Sequence, residues 1–198
     1  MSRQVSRLTV IMTSFFAALA CCLGVIAFVG SRIGTGSVQA AAIGGPFHLI
    51  DQNGQPFSDQ DVKGKSFLIF FGFTHCPDVC PTTLFDLSEV MRHLGKDADR
   101  TAALFITVDP ERDTPQALND YMSSFDPHLR GLTGDTNAVA AVAKAYRVYY
   151  RKVPLEGGDY TMDHTAIVYL MDKEGRFVSP FNMRRTAEAE ADDLRKHL

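Results

Sequence analysis

The chain has 198 residues, with 20 Lys+Arg against 23 Asp+Glu. Three of the basic residues, Arg3, Arg7 and Arg32, precede Ile33 and no acidic one does, so from Ile33 onward 17 basic side chains face 23 acidic ones, a net charge of −6 with histidine neutral. Such a surface excludes nucleic acid as a partner, and four cysteines in a chain of this length exclude a disulfide scaffold.

Residues 1–7 form a short basic N-terminus. From Leu8 to Val29 the sequence LTVIMTSFFAALACCLGVIAFV runs 22 residues without a charge, long enough to cross a hydrocarbon core of about 30 Å as a helix. A cleaved signal peptide has an apolar core of roughly 7–15 residues, so the length argues for a retained anchor, although Val38-Gln39-Ala40 resembles a small-residue cleavage site. Arg3 and Arg7 before the span keep the N-terminus cytoplasmic by the positive-inside bias, and the rest of the chain is exported. Cys21 and Cys22 lie within the span and read as small membrane residues, since apolar surroundings keep a thiol neutral. A lipoprotein signal at Ala18-Leu19-Ala20-Cys21 fits poorly, because the residues after Cys21 stay apolar. Residues 30–45 are small and weakly polar, as in a flexible linker. Residues 46–198, about 150 of them, suffice for one domain with a core of its own.

Within that domain Phe47–Ile50 and Gln55–Phe57 flank Asn53-Gly54, a pair that supplies positive φ for a hairpin. Ser66–Phe73 is a continuous apolar run, which predicts a strand buried on both faces. Pro81 suits a first helical position, and Leu84, Leu87, Val90, Met91 and Leu94 share one stripe, so a helix is expected from Pro81 to Leu94. Thr101–Val108 reads as a second central strand, Asp113-Thr114-Pro115 as the start of a helix through Phe125, and Thr136–Val148 as a third helix. Val148–Val153, Thr165–Met171 and Arg176–Ser179 read as strands, with Asp172–Gly175 as a hairpin turn and Thr186–Leu198 as a closing helix. The alternation predicts an α/β domain with a central mixed sheet flanked by helices, whose site lies at the carboxyl ends of the parallel strands.

Cys76 and Cys80 follow the first central strand directly, in Phe71-Gly72-Phe73-Thr74-His75-Cys76-Pro77-Asp78-Val79-Cys80-Pro81. Two thiols so spaced can chelate one soft metal ion or close a disulfide. With Pro81 at the first helical position, Cys80 would lie near the N-cap, where unpaired N–H groups and the helix dipole favour a thiolate. Three residues separate the cysteines where thioredoxin-type dithiols have two, and the chain has no Trp. Nor is a peroxidatic pattern present, since Ile69 and Phe73 stand before Cys76 where Pro and Thr or Ser are wanted.

Two thiolates alone rarely complete a discriminating metal site, and among six histidines His164 is the strongest third ligand. It lies in Tyr160-Thr161-Met162-Asp163-His164-Thr165, read as a polar loop entering an apolar strand. Taken alone, a loop histidine beside an aspartate is more often a structural hydrogen-bonding group. Two soft thiolates and an imidazole put copper first, as Cu(I) with Cu(II) also accessible, and zinc second. His75 would have to reverse direction to share a metal with Cys76, and Met162, Met171 and Met183 are soft but more often serve packing. Asp109 and Asp113 bracket a turn and read as caps. Asp163 reads as a turn former or an orienting acceptor for His164, and Asp78 as solvent-facing.

The cysteine run, together with Val108-Asp109-Pro110-Glu111-Arg112-Asp113-Thr114-Pro115, Asp163-His164 and Lys144-Ala145-Tyr146-Arg147-Val148-Tyr149-Tyr150, resembles the Sco/SenC family of copper-binding assembly proteins for cytochrome c oxidase. The resemblance implies a thioredoxin-like fold and one copper ion held by Cys76, Cys80 and His164. It further implies delivery of that copper to the CuA centre of cytochrome c oxidase subunit II, by a binding and transfer protein without turnover. The alternative is an enzyme, a thiol-disulfide oxidoreductase whose redox-active pair Cys76 and Cys80 reduces the subunit II cysteines; a third reading is a copper-responsive redox sensor. With the anchor, these expectations place a single-pass protein in a bacterial inner membrane with its C-terminal domain in the periplasm. A disulfide between Cys76 and Cys80 would abolish soft-metal binding, so a periplasmic thiol reductant is expected as a partner, and a periplasmic copper donor as another.

Overall fold

The computed structural model describes residues 12–13, 18–25 and 43–198. The chain divides into two units, 1–41 and 42–198. In the first, the described residues are helical and Cys21 and Cys22 are exposed. Among the described residues no helix is long and apolar enough to cross a membrane; most of the expected span 8–29 and of the expected linker 30–45 lies outside them.

The second unit is an α/β domain. Its elements run β1 (His48–Asp51), β2 (Pro56–Ser58), β3 (Ser66–Gly72), α1 (Val79–Leu94), β4 (Thr101–Thr107), α2 (Pro115–Met122), β5 (Leu129–Thr133), α3 (Thr136–Ala145), β6 (Tyr150–Pro154), β7 (Tyr160–His164), β8 (Val168–Met171), β9 (Phe177–Pro180) and α4 (Ala187–Arg195). Seven strands form one mixed sheet in the order β2-β1-β5-β4-β3-β8-β9. The centre, β3 with β4 and β4 with β5, is parallel; β1 and β8 flank it antiparallel, and β9 pairs antiparallel with β8. All seven residues of β3 are buried, as a strand covered on both faces requires.

Adjacent residues of β3 point to opposite faces, and two aromatic chains mark the two halves of the core. Phe70 leads through Phe105 and Tyr121 to Phe125 on one side; Phe71 meets Tyr146 and Tyr169, and Tyr169 meets Phe177, on the other. The helices follow local rules. Thr114, Asp135 and Thr186 each cap a helix by accepting from a backbone N–H in its first turn. α3 ends sooner than its Ala-rich pattern predicts, because Arg147 turns left-handed at φ 56° and redirects the chain into β6.

Three expectations need correction. α1 begins at Val79 with Asp78 as its N-cap residue, so Pro81 is its third residue; this is tolerated because N–H groups in the first turn have no intrahelical acceptor to lose. Leu129–Thr133, to which the sequence reading assigns no element, is β5, a short strand completing the parallel centre. The segment expected to be a loop before an apolar strand is β7, paired antiparallel with β6 in a separate two-stranded sheet. Tyr160, Met162 and His164 alternate with Thr161 and Asp163 as a strand demands. Gly157 and Gly158, at φ 89° and 87°, form the turn before it.

Away from this region, His128 joins two loops. Its Nδ1 lies 2.6 Å from Asp126 Oδ1 and its Nε2 lies 3.3 Å from Asp99 Oδ1. The hydrogen bond to Asp126 raises its pKa, with Asp99 adding and partial burial opposing. A raised histidine pKa means that this contribution to stability is complete below about pH 6.5, the unfolded value, and is lost as pH rises through the folded value. The urea unfolding midpoint should therefore fall more between pH 5.5 and 8 in the wild-type protein than in His128→Gln, in buffers of equal ionic strength; parallel profiles would show that the cluster contributes nothing.

Candidate metal centre

The parallel pair β3 and β4 ends in register, Gly72 opposite Thr107, and from this edge the chain turns through Thr74–Asp78 into α1. The turn is fixed from beneath by Asp113, which is fully buried. Its carboxylate accepts from the Thr74 backbone N–H at 3.0 Å, the Thr74 hydroxyl at 2.6 Å and the Thr107 hydroxyl at 2.6 Å. Burial raises the Asp113 pKa and these three donors pull it back. The expectation that Asp113 caps a turn thus misses its main role, which is to hold the cysteine loop from inside; Thr114 is the cap.

The structure brings Cys76, Cys80 and His164 together, with their sulfur and nitrogen ligand atoms all within 4.8 Å of one another. No other His, Cys, Asp or Glu among the described residues belongs to this cluster. Neither cysteine is in a disulfide. Cys76 is partly exposed beside a depression of about 300 Å³ lined also by Phe73, Met162 and His164, whereas Cys80 has no exposed surface. The room for the Cys80 sulfur comes from Gly72: a Cβ there would lie 2.7 Å from Cys80 Sγ and 2.6 Å from the Phe105 ring.

His164 ends β7 with its ring edge-on to Phe73 and Phe70. Its Nδ1 lies 3.1 Å from the Thr165 carbonyl. A carbonyl only accepts, so the proton is on Nδ1 and the Nε2 lone pair faces the Cys80 thiol at 3.6 Å. Burial lowers the His164 pKa, against the opposing pull of the Thr165 carbonyl and Asp163, so near pH 7 the ring is neutral, with its tautomer fixed and Nε2 able to serve a metal. Asp163 is not the acceptor that orients it. As its strand neighbour it points to the other face, 3.3 Å from Arg151. His75 is exposed and turned to Thr74 and Asp113, with its Nδ1 at 3.0 Å from the Thr74 hydroxyl oxygen. Met171 is buried in the core.

The expected dipole-activated thiolate at Cys80 is also corrected. Cys80 is in the first turn of α1, yet burial pushes its pKa far up, aided by the nearby Cys76 and Asp113 and only partly countered by the Phe73 backbone. A helix N-terminus offers about 1 kcal/mol to a negative charge, too little to offset removal of a thiolate from water. What does favour that thiolate is a cation, since a coordinating thiol loses its proton outright. Two sulfurs and one imidazole fit a soft ion of low coordination number, while structural zinc sites use four ligands.

A family model described as SCO1/SenC matches residues 35–198. The mitochondrial SCO2 homologues of Mus musculus and Homo sapiens are each 42% identical over 168 residues, covering 83% of this chain and 66% and 63% of theirs; the chain thus spans just under two thirds of their length. Bradyrhizobium japonicum ScoI, solved with copper bound, is 64% identical, with a TM-score of 0.78 over 79% of this chain and 100% of that one. Yeast Sco1, also solved with copper bound, is 40% identical, with a TM-score of 0.72 over 79% of this chain and 88% of that one.

Gly72→Ala forces a methyl against both a ring and a sulfur, so it should lower unfolding stability by about 1–3 kcal/mol, the usual range for overpacking. Gly45→Ala, whose methyl would meet Ala145 Cβ at an ordinary 3.5 Å, should cost little. Equal urea midpoints for the two variants would contradict this account of the strand end.

Proposed function

Because the chain belongs to the SCO1/SenC family, we propose that it is a copper-binding assembly protein for cytochrome c oxidase that carries one copper ion on Cys76, Cys80 and His164. The observation that carries this reading is the convergence of two sulfurs and a tautomer-fixed imidazole within 4.8 Å. Copper here is cargo. Cu(I) accepts three soft donors without a fourth, and its positive charge favours the thiolate that burial otherwise opposes at Cys80. Cu(II) is the second state that such ligands can hold.

The recipient is the CuA centre of oxidase subunit II, with copper supplied by a periplasmic donor and the thiols kept reduced by a periplasmic reductant. Residues 8–29 anchor the protein in a bacterial inner membrane by a single pass, with 1–7 in the cytoplasm and 30–45 tethering the periplasmic domain 46–198. The neutral Nε2 of His164 accepts from Cys80 before the metal arrives; on loading, that proton leaves and the same lone pair turns to the ion.

A second reading is favoured by the unpaired thiols and the unequal burial of Cys76 and Cys80. As an oxidoreductase on subunit II, Cys76 as thiolate attacks a disulfide of the partner and one partner thiolate leaves. Cys80, deprotonated in turn, attacks the mixed disulfide and releases the second. Two electrons and two protons pass to the partner, and Cys76 and Cys80 end as a disulfide for the reductant to reopen.

Anaerobic copper titration of the reduced full-length chain tests the choice. One copper per chain is expected, with Cys76→Ser, Cys80→Ser and His164→Ala each weakening retention by at least about tenfold. Absence of stoichiometric copper, together with a readily exchanged disulfide that His164→Ala leaves unchanged, would reject copper carriage and leave the oxidoreductase.

A further inference from the structure

The hairpin of β6 and β7 pairs only with itself and takes no part in the central sheet. A two-stranded hairpin alone is marginally stable in water, so something other than a backbone ladder must fix where His164 stands relative to the cysteines. The segment between β4 and α2 supplies it. Arg112 stacks on the Tyr160 ring, with its guanidinium carbon 3.8 Å from the ring centre. Its Nη1 donates to the Tyr160 carbonyl at 2.9 Å and lies 3.3 Å from Asp159. Asp109 closes the arrangement: its carboxylate takes Arg112 Nε at 2.5 Å and the Tyr160 hydroxyl at 2.9 Å. Lys152 of β6, paired with Glu111 at 2.6 Å, covers the same ring.

This turn also ends in Asp113, whose carboxylate holds the cysteine loop through Thr74. The backbone N–H of Asp113 donates to the Asp109 carbonyl at 2.9 Å, making Asp109–Asp113 one tight unit. One end therefore grips the thiol-bearing loop and the other grips the imidazole-bearing hairpin. Tyr160 and His164 lie on the same face of β7, about 13 Å apart along the strand, so a clasp on the first sets the position of the second.

We propose that Arg112 and Tyr160, anchored by Asp109, are positioning residues that dock the β6–β7 hairpin and hold His164 Nε2 against the cysteine sulfurs, so that loosening this clasp releases the imidazole from the metal site while leaving the thiols in place. The metal part of this inference rests on the copper reading above; the docking part rests on the contacts alone. Closure leaves Arg112 Nη2 buried with no partner. A buried unmatched donor subtracts from the docked state, which makes the hairpin an element that substitution can loosen.

The test uses the reduced full-length chain with Arg112→Gln, and with Tyr160→Phe, which removes only the hydroxyl contact to Asp109. Copper release to a chromophoric Cu(I) chelator should quicken about tenfold in Arg112→Gln, as for outer-shell substitutions at metal sites, and by less in Tyr160→Phe. Each effect should vanish in a His164→Ala background, where there is no imidazole left to position. An equal acceleration in both backgrounds would mean general loosening of the fold, and no acceleration would mean that the clasp does not act on the site; either overturns the proposal. A second measurement needs no metal. The His164 ring protons sit in the fields of Phe70 and Phe73, and in copper-free protein their NMR shifts should move toward values of an unstacked imidazole in Arg112→Gln. If the wild-type chain binds no copper but these shifts move, copper carriage fails and hairpin docking stands; if they do not move, docking fails on its own.

Discussion

The Cys80 sulfur is buried where β3 ends, in space that exists because Gly72 has no side chain, and the rest of the centre is arranged around that constraint. A buried thiol beside a second thiol and a buried aspartate is held neutral, and it also faces a histidine that burial keeps neutral. Burial thus favours the neutral forms of both Cys80 and His164, which is why the pair can be set against an apolar core. A soft cation changes the balance, converting a costly buried thiolate into a ligand.

The layout around it divides labour between rigid and adjustable parts. Cys80 is fixed by α1 and by the interior of the sheet, and Cys76 belongs to a loop tied down by Asp113. His164 comes from a hairpin outside the main sheet, held by side chains. On the copper reading, two of the three ligands thus move with the core and one with a peripheral element. Under that reading the arrangement suits transferable cargo better than a permanent structural metal, for which all ligands gain from rigidity.

What was legible in the sequence follows from the strength of each local signal. β3 and α1 were plain, since an unbroken apolar run and a five-residue stripe admit few other readings. The start of α1 was misread because Pro is good at the first helical position but tolerated through the first turn, and the two-residue shift put Cys80 inside the buried layer. β5 escaped notice because Leu129-Arg130-Gly131-Leu132-Thr133 is short and interrupted, and is made a strand by its neighbour β4. β7 could have been found: Tyr160, Met162 and His164 alternate with polar residues, and the Gly157-Gly158 pair before them marks a turn. The cysteines were visible from spacing; His164 stood out as the strongest third ligand among six histidines, but only the family resemblance favoured it over a structural hydrogen-bonding role, because the pairing that brings it to the cysteines is tertiary. Asp113 was the largest omission. Followed by Thr-Pro it looks like an ordinary helix entry, and nothing local reveals that its carboxylate faces Thr74, 39 residues earlier.

On the copper reading, unequal burial also gives the three ligands an order. An incoming thiolate can reach an ion first from the side of the depression, where Cys76 and His164 form the wall, and last from the side of Cys80, which has the sheet at its back. Associative exchange needs one open direction and loss of one old ligand for each new one. Cys76 and His164 are placed to be displaced early, and Cys80 keeps hold until the partner offers enough sulfur to replace it. Release of the ion would return Cys80 to surroundings that disfavour its thiolate and favour its reprotonation. The same burial that makes a free Cys80 thiolate costly would thus secure the ion until a better set of ligands is in place, and then help to let it go.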